Sequence, residues 1–316
     1  MKNLGKIFIL VFLISSIAVQ AQTYDITVAK DGSGDFTSIQ EAIQSVRSYT
    51  PEPKTIFIKN GIYKEKILIS SDKCDITLIG ESRDNTIITW ADHANMNNMG
   101  TFKTSTLRID GDRITLKNLT IENNAPMLGQ AVALHVEGKN LMVINCNLLG
   151  NQDTLFTGNE YGTEFFKDCY IEGTTDFIFG PATVWFENCH IHSKKNSYIT
   201  AASTPEFRPY GYIFNKCMLT AAEGIDKVYL GRPWRKYAAV LFMNSYMGNH
   251  IRPEGWHNWG DPEREKTTRY LEYNNNGPGA DRSQRVAWSG ELKKSKAKKI
   301  TLEKVFPDWE AVHDMD

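Results

Sequence analysis

The stretch Phe165-Phe166-Lys167-Asp168-Cys169-Tyr170-Ile171 is followed 20 residues later by Trp185-Phe186-Glu187-Asn188-Cys189-His190-Ile191. Each half has a β-prone run, an Asp or Asn suited to a tight turn, a cysteine, and an apolar residue two places further on. The unit recurs in both directions. Asn118-Leu119, Asn145-Cys146, Lys216-Cys217 and Asn244-Ser245 fall into line with it, and Ile121, Leu148, Leu219 and Met247 take the apolar place. Successive spacings from Asn118 to Asn244 are 27, 23, 20, 28 and 28 residues. Self-similarity at this period marks a solenoid, and strands at this period predict an all-β parallel β-helix with one coil per repeat. The cysteines then stack inside as small apolar residues, and a packed interior favours a reduced ladder over disulfides.

A solenoid needs its end strands covered. Ile39, Ala42, Ile43 and Val46 share one helical face, and Ser38-Ile39-Gln40-Glu41 reads as a capping box. The expectation is a short N-terminal cap helix within residues 36–47. Further toward the N-terminus, Lys2 and Lys6 precede an apolar run from Ile7 to Val19, and Val19-Gln20-Ala21 has small residues at the places a signal peptidase needs. Residues 1–21 therefore read as a signal peptide, with residues 22–316 one β-helix domain. The apolar run is too short to span a bilayer. The chain is expected to be exported, periplasmic or secreted, and free of the membrane after cleavage.

Composition narrows the function. Lys+Arg is 36 and Asp+Glu 37 in 316 residues, a formal charge of −1. No basic excess exists to hold nucleic acid. No Walker loop, GxGxxG or CxxC string occurs. The lysine-rich segment Lys293 to Lys299 reads as a solvated helix face or loop beside the last coil. His190 and His192 alternate on one strand and read as a surface pair, since no third metal ligand is in view.

The repeat itself points to a site. Asp153 lies seven residues after Cys146, and Asp176 seven after Cys169. In register, the two carboxylates stand on adjacent coils, ~4.8 Å apart. Such a pair is either two satisfied turn aspartates or an acid and a base made unequal by repulsion. The apolar surroundings of Gln152-Asp153-Thr154-Leu155 and Asp176-Phe177-Ile178-Phe179-Gly180 favour the second reading. Gln130 and Gln152 carry amide donors suited to a developing oxyanion. Leu230-Gly231-Arg232-Pro233-Trp234 offers a guanidinium that can fork onto a carboxylate and a ring that can stack on a sugar.

Taken together, these motifs resemble the pectin methylesterase (pectinesterase) family over nearly all of the chain beyond residue 21. The likeness rests on Gln130-Ala-Val-Ala-Leu134, Gln152 to Leu155, Asp176 to Gly180 and Leu230 to Trp234, in that order. Val28 to Phe36, Gly61-Ile-Tyr-Lys-Glu65, Pro253-Glu-Gly-Trp256 and Asn276-Gly-Pro-Gly-Ala280 agree too. The resemblance implies a right-handed parallel β-helix and hydrolysis of galacturonate methyl esters of pectin to pectate and methanol. By it, Asp176 is the nucleophile, Asp153 the general acid and then base, Gln130 and Gln152 the oxyanion donors, and Arg232 the orienter of Asp176. Trp234 and Phe177 match substrate-contacting positions. The scheme needs no metal or cofactor, and a monomer suffices. The chain departs from the commonest pattern at Asn151, where an aromatic often stands, and lacks the frequent Gln after Thr200-Ala201. Polygalacturonase signatures (Asn-Thr-Asp, Asp-Asp, Gly-His-Gly) are missing. A lyase would have to use Arg232 as its base, and a guanidinium stays charged. A binding protein that had lost its chemistry would be expected to lack Asp153, Asp176 or Arg232.

Overall fold

The computed structural model describes residues 23–315. The predicted signal peptide falls outside the described residues. Among those described, strands form three parallel sheets of eleven, eight and seven strands. Each coil contributes one strand to each, as in Thr163–Lys167, Tyr170–Gly173 and Ile178–Gly180 before the chain re-enters the first sheet at Thr183–Glu187. This is the expected right-handed parallel β-helix.

The repeated Asn or Asp makes the corner between the eleven-stranded and eight-stranded sheets. Asn118, Asn145, Asp168, Asn188 and Asn244 all adopt left-handed backbone conformations, with φ between 50° and 55°. Short polar side chains tolerate that region best. They also bond along the stack: Asn145 Nδ2 donates to Asn118 Oδ1 at 2.8 Å, and Asn274 Nδ2 to Asn244 Oδ1 at 2.8 Å. Lys216 takes the same corner at φ 55°.

The residue after each corner points inward. Cys146, Cys169, Cys189 and Cys217 are buried, and all five cysteines are free thiols. Burial pushes the thiols of Cys146, Cys169 and Cys189 well up, so they behave as small apolar groups. Beside them runs an aromatic column, Phe166, Phe186, Phe214 and Phe242, with successive ring centroids 5.0, 4.4 and 4.3 Å apart. Each buried ring contributes ~1.5–3 kcal/mol from area alone. In-register strand pairing makes the column possible.

A helix spans Ile39–Ser45, with Ile39, Ala42 and Ile43 buried. It packs against Ile26–Val28, Lys54–Ile58 and Ile67–Ile69. Ser38 Oγ accepts from Glu41 N at 3.3 Å, one arm of the expected capping box. The carboxylate arm comes from Glu65, not Glu41. Glu65 accepts from Ser38 Oγ, Ile39 N and Gln40 N at 2.8, 3.1 and 3.0 Å, placing negative charge at the helix's positive end.

Part of the outer face of the eleven-stranded sheet is apolar and lies under the C-terminal segment. Phe165, Trp185, Ile213, Leu241 and Met243 pack against Leu302, Val305, Phe306, Trp309 and Val312 from the C-terminal segment. The outer face of the seven-stranded sheet carries His135, Phe156, Phe179 and Ala201 in register, and it forms the floor of the site.

Candidate active site

Backbone bonds place the two aspartates. The amide of Ala131 donates to Gln152 O, that of Asp153 to Thr175 O, and that of Asp176 to Tyr198 O. In a parallel ladder these bonds pair Ala131, Asp153 and Asp176 on three successive coils. Gln130 and Gln152, one place earlier, are likewise matched. Asp153 and Asp176 both have left-handed backbones, with φ of 67° and 50°. That conformation turns each side chain out of the coil, where each is nonetheless nearly buried.

Arg232 separates their electrostatics. Its Nε and Nη2 donate to Asp176 Oδ1 and Oδ2 at 2.9 and 2.6 Å, a two-point fork. Burial raises the Asp176 pKa, while Arg232 bonds and charge oppose the rise. Asp153 has no such fork. Burial first, and then the charge of Asp176, push it well above the usual carboxylate range; Arg232 and the Gln152 amide only partly offset this. Arg232 therefore favours the ionised form of Asp176, beside an Asp153 whose surroundings favour its proton. The two titrate as a coupled pair.

The approach of Arg232 depends on Gly231. A Cβ there would collide with Thr200 Oγ1, and the Arg232 amide bonds Thr200 O at 2.9 Å. The guanidinium lies between two rings, its Cζ 3.7 Å from the Trp259 centroid and 4.0 Å from that of Tyr198. Tyr198 stacks on Tyr229 at 5.3 Å. The Trp259 amide donates to His257 Nδ1 at 3.0 Å, which ties down the loop carrying the ring. Planar stacking of this kind favours arginine over lysine.

Trp234 rests on the floor, 5.9 Å from Phe179, beside Val132, Phe156 and Ala201. Phe177 does not reach the cleft. It is 0% exposed and belongs to the coil interior. Asp176, with its left-handed backbone, faces out to meet Arg232, and Phe177 and Ile178 after it both pack into the coil interior. Gly173 leaves room for that ring, since a Cβ there would strike Phe177 Cβ. The expected substrate contact at Phe177 is therefore corrected. The outward aromatics are Phe156 and Phe179, extended by Phe102, whose ring lies 4.8 Å from Phe156. Asn151, at the place where an aromatic often stands, donates to Ala125 O at 3.1 Å and joins two loops.

The structure thus brings Asp153, Asp176 and Arg232 together, with Gln152 beside them and Gln130 one coil away. Tyr198 and Trp259 belong to the same cluster, although neither lies in a motif that singles it out. A Trp 27 residues beyond Arg232 carries no spacing signal. His190 and His192 lie elsewhere and share the Thr220 hydroxyl at 2.6 and 2.8 Å, as a surface pair would.

Comparison with known proteins identifies the family. The pectinesterase family model matches residues 25–307. Pectinesterase 31 of Arabidopsis thaliana is 39% identical over 283 residues, covering 86% of this chain and 89% of that one. The pectin methylesterase from carrot superimposes with a TM-score of 0.88 at 30% identity, covering 93% of this chain and 97% of its own. A pectin methylesterase solved in complex with a hexasaccharide gives 0.80 at 29% identity, covering 92% and 98%. By sequence and by fold, the chain belongs to the pectinesterase family of carboxylic ester hydrolases.

Proposed function

We propose that the chain hydrolyses methyl esters of homogalacturonan with Asp176 as nucleophile and Asp153 as acid and base. The observation that carries this is the unequal pair: Arg232 forks onto Asp176 and leaves Asp153 buried without a cation of its own. Ionised Asp176 attacks the ester carbonyl. The oxyanion that forms is held by the side-chain amides of Gln130 and Gln152. As the tetrahedral species collapses, Asp153 gives its proton to the methoxide, methanol leaves, and a mixed anhydride joins substrate to Asp176. Asp153, now a carboxylate, takes a proton from water, whose oxygen attacks the substrate carbonyl. The bond to Asp176 breaks, the uronic acid departs and ionises, and both aspartates return to their starting states.

The floor of Phe156 and Phe179, with Trp234 above it, supplies apolar faces for pyranose rings. An exported monomer acting on the polymer is the setting that fits the N-terminal pattern, and no described helix is long and apolar enough to cross a membrane. The test is methanol release from highly methylated pectin, with reducing ends followed in the same tube. Methanol without new ends is expected. New chain ends without methanol would make the carboxylate pair a glycosidase's instead.

A further inference from the structure

On the outer face of the eleven-stranded sheet, away from the aspartate pair, lies a groove of about 580 Å³. Its walls include Tyr210, Arg269, Trp288, Lys296, Lys299 and Ile300. The rim is the short helix Lys294–Ala297 and its flanks. Lys293, Lys294, Lys296, Lys298 and Lys299 are all exposed there, while Ala297 between them is buried and anchors the turn. Within residues 290–300 the only carboxylate is Glu291. Among the described residues, none of these five lysines is in an ion pair. A chain with formal charge −1 has therefore gathered five exposed lysines in one short segment, and two of them, Lys296 and Lys299, line an aromatic-walled groove.

A solvated helix face would account for the lysines but not for the groove they border. The Arg269 guanidinium is fixed to Pro209 O and Tyr237 O at 2.9 and 3.2 Å, so part of the cationic wall is preorganised. The Trp288 ring packs 5.8 Å from Tyr270, a rigid setting. Flat rings suit pyranose faces, and lysines suit carboxylates as point charges.

We propose that this groove is a second carbohydrate site, which holds a demethylated stretch of galacturonan. The proposal rests on the functional reading above, because the occupant is that reaction's anionic product. A polymer held here keeps its remaining esters at high effective concentration near the aspartates on the other sheet. Affinity should fall with added salt, since the contacts are to exposed charges.

The test uses the full chain and a variant with Lys294→Gln, Lys296→Gln, Lys298→Gln and Lys299→Gln, all exposed positions where folding is not at risk. Binding to polygalacturonate, which has no esters left to cleave, is measured by calorimetry at low and high salt. Roughly tenfold or greater weakening at low salt is expected, together with a flatter salt dependence. Methanol release from a short methylated oligogalacturonide, which occupies only the catalytic cleft, should be unchanged. Wild-type affinity in the variant would overturn the proposal. So would equal wild-type affinity for duplex DNA, which would leave only an unselective cation patch. Loss of methanol release by the wild-type chain would instead overturn the functional reading, so the two failures are distinguishable.

Discussion

Replacing Arg232 with methionine keeps much of the stem volume and removes the fork on Asp176. Two charge-assisted hydrogen bonds, at 2.9 and 2.6 Å, are lost, and a nearly buried carboxylate is left beside Asp153. Breaking a buried pair costs about 3–5 kcal/mol. Arg232 is one-fifth exposed, so the lower end applies. If that stabilisation is fully expressed in the acylation transition state, kcat/KM falls about a hundredfold to a thousandfold at ~1.4 kcal/mol per tenfold. The variant also predicts a stability signature. Asp176 already has a raised pKa in the folded protein, and losing Arg232 raises it further. A carboxyl raised on folding contributes stability that is present below its unfolded pKa and lost as pH rises through its folded pKa. The deficit in Tm relative to wild type should therefore be small near pH 4 and grow toward pH 8. Initial rates of methanol release, with kcat and KM separated, and thermal melts across that range read both effects. A kcat/KM within a few-fold of wild type, or a deficit independent of pH, would refute the reasoning.

Other expectations follow from the same contacts. Asp153→Asn should lower methanol release by about 10²–10⁴, because the leaving group loses its acid, while an ester with an aryl leaving group should be acylated far less impaired. Trp259→Ala should lower kcat more than it changes KM by freeing the Arg232 guanidinium now 3.7 Å from the ring, and Trp259→Phe should restore most of the loss. Glu164 is wholly buried in the coil interior, and burial pushes its pKa well up, with Glu137 adding to the rise. Its stabilising contribution is thus lost as pH rises through the folded pKa, so Glu164→Gln should raise Tm more at pH 9 than at pH 5 in melting curves.

The features visible in the sequence are those fixed by local geometry repeated on each coil. Asn145, Asp168 and Asn188 announce left-handed corners, and the cysteine after each must point inward. A fixed offset of seven residues from those cysteines places Asp153 and Asp176 in register. The misplaced residue, Phe177, shows the limit of motif reading. Its neighbour's left-handed backbone decides which side of the strand it takes, and that is a property of the coil, not of the string. Trp259 and Tyr198 meet Arg232 only through winding of the chain, so no spacing reveals them. The cover of Leu302, Val305, Phe306 and Trp309 was equally hidden, since two helices of four residues each give too short a pattern to read beside a lysine run.

Covalent catalysis by Asp176, with Asp153 serving both half-reactions, can be tested in one single-turnover measurement. Asp153→Asn is mixed with an aryl ester of trigalacturonate, quenched in acid, digested and analysed by mass spectrometry alongside the released aryl alcohol. Acylation needs no acid for such a leaving group, but deacylation lacks its base. A burst of about one aryl alcohol per enzyme and a uronyl adduct on the peptide that carries Asp176 are expected. Linear release without a burst, or an adduct on any other residue, would contradict covalent catalysis by Asp176.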